Sequence, residues 1–162
     1  MALFDPRDML RIAVQDEQTG TAFYKSLAAA TKRPDVQAEC IAISKQEEVH
    51  AERFQKMLDG LLPYEPMEEY DGQYEQYLNA LIESRAFSTP EQAAARARAA
   101  GSDADAIDIA LGLERGTLVF LGEIKSLLPP THVELVQEVI KEEQNHVTEL
   151  TRLKRTLAPG RH

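Results

Sequence analysis

Apolar residues recur at helical spacing along four long segments of this chain. Within each segment they stand three, four or seven positions apart, which is the spacing of one face of an α-helix. The pattern predicts long helices over about residues 6–30, 35–59, 103–127 and 132–157. No segment alternates convincingly between apolar and polar residues, so we predict essentially no sheet and an all-α fold.

Local signals mark where these helices begin. Asp5-Pro6 places an N-cap residue before a proline at the first helical position. Residues 102–105 are a variant capping box, Ser-Asp-Ala-Asp, and residues 131–134 are a full one, Thr-His-Val-Glu. In the fourth helix we expect the inward-facing stripe to begin at Leu135.

About forty residues, 61–101, join the second long helix to the third. Residues 61–71 have the composition of an irregular crossing, residues 72–87 carry apolar side chains at helical spacing, and Thr89 caps a further short helix. The other two links are short, so each closes an antiparallel hairpin, and a long, mostly helical crossover joins the two hairpins. We therefore predict a single four-helix bundle domain over residues 1–162.

Charged or polar residues interrupt the apolar face of every long helix. Four glutamates stand four or seven residues from apolar members of their stripes, and two histidines each follow three positions after a glutamate. Residues at these spacings share a helix face, so all six side chains should point into the bundle. The glutamates also lie near the midpoints of their helices, so they should share one level. The six residues are Glu17, Glu47, His50, Glu114, Glu143 and His146.

Four carboxylates inside an apolar bundle require compensating positive charge, because an unpaired buried carboxylate costs several kcal/mol or more. Arg115 and Lys141 neighbour the glutamates in sequence but lie off the inward face. Two divalent cations would balance four carboxylates, and Glu-x-x-His is a suitable ligand pair because i and i+3 side chains are neighbours. The pattern predicts a dinuclear metal site; four solvated faces around an unusual seam are the alternative.

The two halves of the chain repeat this pattern. Ile-Ala-x-x-x-Glu-x-x-x-x-x-Phe occurs over residues 12–23 and 109–120, and Lys-x-Glu-x-x-His occurs over residues 45–50 and 141–146. The repeat predicts two nearly equivalent metal positions, each with its own terminal glutamate and its own histidine. The second glutamate of each half, Glu47 or Glu143, would be shared as a bridge.

Composition narrows the functional classes. The chain has 18 Lys and Arg against 27 Asp and Glu, a formal net charge of −9, so we expect no nucleic-acid partner. Its single cysteine, Cys40, excludes an intrachain disulfide, a Cys-based zinc site and a rubredoxin-type iron centre. We see no signal peptide and no apolar stretch of membrane-spanning length, so we expect a cytoplasmic protein without membrane contact.

The order Glu, Glu-x-x-His, Glu, Glu-x-x-His on successive helices resembles the ferritin-like diiron carboxylate proteins. The chain looks most like single-domain relatives of rubrerythrin, and its ligand set is also similar to that of bacterioferritin. The resemblance implies a ferritin-like four-helix bundle with two Fe ions, or Mn or Zn as other occupants, held by the six residues above. It also equates Tyr24 with the family's tyrosine near the metals; the alternative is a buried core tyrosine that needs a hydrogen-bond partner.

Three departures from the family pattern change what the resemblance implies. Thr117 stands where rubrerythrins carry an extra glutamate, and the cysteine pairs of a rubredoxin domain are absent. Glu48 stands where bacterioferritin has its haem-binding methionine, and no fifth helix follows, so we expect no haem and no cage. Glu48 and Glu142 adjoin the ligands either as solvated charges or as acceptors for a histidine N–H.

The resemblance implies a diiron oxidoreductase that reduces hydrogen peroxide or dioxygen. Electrons would come from a separate protein, since no flavin, rubredoxin or nucleotide motif is present. One alternative is a ferroxidase-type iron-handling protein without substrate turnover. Another is a small-molecule diiron hydroxylase, which would need an open apolar channel and a membrane-facing patch such as residues 61–82. Dimer packing explains that segment more simply, and we expect a homodimer.

Overall fold

The computed structural model describes residues 5–63 and 70–158, which form six helices and no strand. The four long helices of the bundle are α1, α2, α5 and α6, and the two short helices α3 and α4 lie in the crossover. Their bounds are Pro6–Ala30 for α1, Pro34–Gly60 for α2, Gln73–Glu83 for α3, Pro90–Arg98 for α4, Asp103–Lys125 for α5 and Pro130–Leu157 for α6. The all-α four-helix bundle predicted from the apolar pattern is confirmed.

Side-chain caps begin three of these helices as the sequence predicts. The Asp5 carboxylate accepts a hydrogen bond of 2.8 Å from the backbone N–H of Arg7 at the start of α1. Thr89 and Ser102 accept in the same way at the starts of α4 and α5. Each cap satisfies a backbone donor that has no partner inside its helix, which fixes where the helix begins.

The start of α6 differs from the prediction. The helix begins at Pro130, two residues before the expected start, and no side chain caps it. Proline lacks an N–H and its φ is preset for the first helical position, so Pro130 displaces the capping box. The Thr131 hydroxyl instead lies 3.1 Å from Nδ1 of His132. Leu135 is also wrong as a core position: it is exposed, and the neighbouring Val136 is buried.

The crossover brings α4 against α1, where Ala93 and Ala97 are buried. Residues 64–69 of the predicted irregular crossing lie outside the described residues. Among the apolar side chains of residues 61–82, Leu62 before α3 and Tyr77 on α3 are exposed. Within the described parts of the chain, no helix is at once long and apolar enough to cross a membrane.

Two hydrophobic clusters fill the bundle, one toward each end. The first joins the C-terminal half of α1 and the N-terminal half of α2 to α4, α5 and α6, and includes Phe23, Leu27, Ile43, Ile107 and Leu150. The second joins the opposite halves of the four long helices and includes Leu10, Phe54, Leu121, Ile124 and Val139. The six polar residues that interrupt the apolar stripes lie between the two clusters along the helices.

Candidate metal centre

All six candidate residues are buried at the middle of the bundle. None is more than 5% exposed, and His50 and Glu143 are fully buried. Each stands where the apolar stripe of its helix faces inward, so the same periodicity that builds the core carries these polar groups into it. The structure therefore brings all six side chains together.

The six residues form two overlapping sets of four. One set is Glu17, Glu47, His50 and Glu143, and the other is Glu47, Glu114, Glu143 and His146. In each set, one ligand atom per residue lies within 4.8 Å of all the others. Two carboxylates, Glu47 and Glu143, belong to both sets, and this is the division that the repeat predicts.

Both histidines turn Nδ1 toward the carboxylates. Nδ1 of His50 lies 2.7 Å from Oε1 of Glu143 and 3.5 Å from Oε2 of Glu17. Nδ1 of His146 lies 3.0 Å from Oε2 of Glu143 and 3.1 Å from Oε1 of Glu47. The two ring centroids are 5.9 Å apart, so one imidazole serves each set.

The outer nitrogen of each histidine has a partner on the opposite helix. Nε2 of His50 lies 2.6 Å from Oε2 of Glu142, and Nε2 of His146 lies 2.6 Å from Oε1 of Gln46. An acceptor at Nε2 holds a ring proton on that nitrogen, so Nδ1 is the nitrogen that can give up its proton and turn a lone pair to a metal. Of the two acids considered from the sequence, Glu142 has this role. Glu48 instead forms an exposed ion pair with Lys25.

Burial and mutual repulsion keep protons on this cluster when no cation is bound. The pKa values of Glu17, Glu47 and Glu114 are raised, first by burial and then by the charges of neighbouring glutamates. Glu143 behaves oppositely: burial raises its pKa, but hydrogen bonds from the two imidazoles lower it well below the usual range. Burial lowers the pKa of His146, yet hydrogen bonds to Glu114, Glu143 and Glu47 raise it overall to about 12.

The donor set fits two divalent cations. Both carboxylate oxygens of Glu17 face inward and are buried without any hydrogen-bond partner. Among the described residues, no Lys or Arg nitrogen lies within 4.0 Å of the four carboxylates. Buried lone pairs without donors are costly unless a cation coordinates them. Carboxylate and imidazole are ligands that iron, manganese and zinc accept.

Tyr24 lies beside this cluster, where its hydroxyl donates a hydrogen bond to Oε1 of Glu114. The side chain is 1% exposed and packs edge-on against Phe23. Burial and the nearby Glu114 charge raise the pKa of its phenol, so the hydroxyl keeps its proton. Tyr24 therefore orients one candidate ligand, which is the hydrogen-bond partner that a buried tyrosine needs.

Gly20 lets α1 approach the cluster closely. A Cβ at this position would lie 2.8 Å from Oε2 of Glu47, so even alanine would displace that carboxylate. From the sequence, Gly20 is a small residue on the inward face of α1, and this alone does not predict its contact with Glu47.

A cleft opens on the side of the cluster away from the histidines. It has a volume of about 540 Å³ and lies between α1, α5 and the α3–α4 connection. Tyr24, Glu47 and Glu114 line it, so it gives access to the candidate metal centre. The sequence does not predict this cleft, because the apolar periodicity of a helix shows which face is buried and not how far the helix lies from its neighbours.

A bundle of four long helices around a buried carboxylate–histidine cluster is typical of the ferritin-like diiron carboxylate proteins. The family model described as Rubrerythrin matches residues 8–154, and the chain belongs to this family. Its fold is also that of a crystal structure from Thermotoga maritima that is described as a putative ferritin-like diiron-carboxylate protein. That match has a TM-score of 0.67 at 22% identity and covers 96% of this chain and 97% of the other. No protein with a curated description matches the chain.

Proposed function

We propose that this protein is a non-haem diiron oxidoreductase that reduces hydrogen peroxide or dioxygen, with electrons from a separate donor protein. The observation that supports this most is the pair of four-residue sets that share Glu47 and Glu143. Two iron ions in adjacent sites of this kind can supply two electrons to one O–O bond. A homodimer is part of the proposal.

The residues of the chain would divide the work between two metal positions. Glu17 and His50 would hold one ion, Glu114 and His146 the other, and the two shared glutamates would lie between them. The Tyr24 hydroxyl keeps Glu114 in place. Reduction of one hydrogen peroxide to two waters takes two electrons and two protons, so the donor protein would supply the electrons and bulk solvent would supply the protons.

Metal analysis followed by anaerobic mixing tests this proposal. Protein from iron-replete cells should contain about two irons per chain, the number that the two ligand sets can hold. After reduction, the protein is mixed rapidly with hydrogen peroxide and followed by optical spectroscopy. It should consume one peroxide per pair of irons. Reduced protein that is inert to both peroxide and dioxygen would refute the oxidoreductase. Many more than two irons per chain would instead favour an iron-handling protein.

Metal loading should also release protons at neutral pH. Glu17, Glu47 and Glu114 have raised pKa values without cations, as do both histidines, so the cluster binds protons that a metal must displace. The apparent affinity for a redox-inert ion such as Zn²⁺ should therefore rise with pH. Calorimetric titration in two buffers of different ionisation enthalpy measures the protons released. A pH-independent affinity would show that the cluster does not hold these protons at neutral pH.

A further inference from the structure

We infer that the cleft between α1, α5 and the α3–α4 connection binds a small organic molecule with an apolar body and a neutral, oxygen-bearing head group. The inference extends the proposed function, because such a ligand would lie against the candidate metal centre. It does not depend on that function, because binding can be measured whether or not the protein is loaded with metal.

The size and walls of the cleft point to an organic ligand. Its volume of about 540 Å³ falls in the range of small-molecule sites. A water molecule takes up about 30 Å³, so peroxide or dioxygen alone would leave most of the space unused. Apolar side chains from α3, the α3–α4 connection and α5 line the cleft: Leu81, Phe87, Leu113, Val119 and Phe120.

Two glycines on α5 leave part of the cleft wall without side chains. Gly112 and Gly116 stand one helical turn apart and line the cleft, and a Cβ at either position would meet nothing within 4 Å. The open volume therefore begins at the backbone of α5. Gly122, on the same helix, is equally open at its Cβ but does not line the cleft.

Two residues that line the cleft each carry one buried donor without an acceptor, and these donors indicate the chemistry of the ligand. Thr19 is 3% exposed, and its hydroxyl makes no hydrogen bond. The Arg85 side chain is 10% exposed, and its Nε is buried without an acceptor. Both donors lie beneath the wall of the cleft, so a ligand oxygen would reach them after a small turn of the side chain, and a buried donor without an acceptor is costly.

The charge of Arg85 is already balanced, so the head group that fits is neutral. Its guanidinium forms an ion pair with Asp16 and donates a hydrogen bond of 3.2 Å to Oε1 of Gln15. A carboxylate ligand would meet this neutral pair together with nearby Glu47 and Glu114, so it would gain no net attraction. A phenol or a ketone offers an oxygen acceptor without that charge.

Binding of 1-naphthol tests the inference, with naphthalene and 1-naphthoate as matched probes. Calorimetric titration of the purified chain, with and without Zn²⁺, should show one 1-naphthol per chain and tighter binding than for either other compound. Thr19→Val keeps the shape and removes the hydroxyl, so 1-naphthol should weaken about 3- to 10-fold while naphthalene is unchanged. No binding of 1-naphthol by the wild-type chain would overturn the inference.

Gly116→Leu and Gly122→Leu form a matched pair of cleft-filling and control variants. Both replace an exposed helical glycine with a better helix former, so both should fold at least as stably as wild type. The side chain added by Gly116→Leu would occupy the cleft, so this variant should weaken 1-naphthol about tenfold or more, whereas Gly122→Leu should not. Equal affinities for the two variants would overturn the inference. A shift in sedimentation caused by Gly116→Leu alone, with unchanged 1-naphthol binding, would also overturn it and assign this surface to a second copy of the chain.

Elemental analysis of the same samples separates this inference from the proposed function. Two metals per chain without 1-naphthol binding would leave the metal centre standing and remove the organic ligand. Binding of 1-naphthol to a chain that takes up no metal would do the reverse.

Discussion

The two halves of the candidate metal centre share their geometry but differ in charge at the outer edge. In each half, the histidine contacts the residue just before the shared glutamate of the opposite helix. For His50 that residue is the carboxylate Glu142, and for His146 it is the amide Gln46. Arg53 lies 3.2 and 3.3 Å from the two oxygens of Glu142, and this contact belongs to the His50 half.

The two halves of the internal repeat therefore keep a hydrogen-bond partner for each histidine at the same position, but that partner is charged in one half and neutral in the other. A carboxylate that accepts from an imidazole N–H makes the other ring nitrogen a stronger electron donor than an amide does. The Glu17–His50 position should therefore hold its metal more tightly than the Glu114–His146 position. Two sites that look equivalent in sequence would fill in order.

Loss of a shared glutamate should remove both metals, and with them any difference in affinity between the two positions. Glu47→Ala takes a ligand from both sets, so the chain should lose both metals, measured by elemental analysis after loading. Glu17→Ala takes a ligand from one set and should leave about one metal per chain. Because the two sets overlap only at Glu47 and Glu143, this contrast tests the division of ligands.

Glu48→Ala is the matched control, since Glu48 adjoins Glu47 but forms an exposed pair with Lys25. It should retain both metals. Full metal content in Glu47→Ala would remove the assignment of the site, and one metal per chain would show that Glu47 serves only one position.

Exchange of the outer partners should reverse the order of filling. Glu142→Gln should weaken the first site by about 10- to 100-fold, the usual effect of losing such a partner. Gln46→Glu should strengthen the second site by the same mechanism. Two-site calorimetric titration with Zn²⁺ gives both affinities, and the double variant should carry the wild-type values on opposite sites.

Glu149→Gln controls for charge alone, because Glu149 lies on α6 about two turns beyond Glu142 and pairs with exposed Arg152. Its two affinities should match those of the wild type. Equal affinities at both sites of the wild type, unchanged by either exchange, would show that the outer partner has no influence on the metal.

The individual side chains predicted from sequence are those whose placement the spacing within one helix determines. The spacing of Glu47 and Glu143 from their apolar neighbours predicts that both lie inside the bundle, because it fixes the helix face that they share with those neighbours. The pairing of His146 with Gln46 depends on how α2 and α6 lie against each other, and periodicity carries no information about that. At α6, two local signals competed, and the fixed φ of Pro130 prevailed over the capping box at Thr131.

Gly20→Ala should have the smallest effect on metal binding. It tests a difference between the two halves, because α1 has a glycine where α5 has a residue with a side chain. The equivalent position in the second half is Thr117, three residues after Glu114, where α5 borders the cleft and a side chain is accommodated. At Gly20 a methyl group would lie 2.8 Å from Oε2 of Glu47. The shared carboxylate must then move, so both metal affinities should fall several-fold. Stability without metal should rise by up to about 1 kcal/mol, because alanine is the better helix former.

These opposite signs make the result specific to the contact. Gly122→Ala has open space around its new methyl group, so it should raise stability in the same way without changing metal affinity. Thermal unfolding and calorimetric titration of the two variants measure both quantities. A Gly20→Ala protein that binds metal as tightly as Gly122→Ala would show that Glu47 has room to shift, and that the close approach of α1 does not set the position of the shared carboxylate.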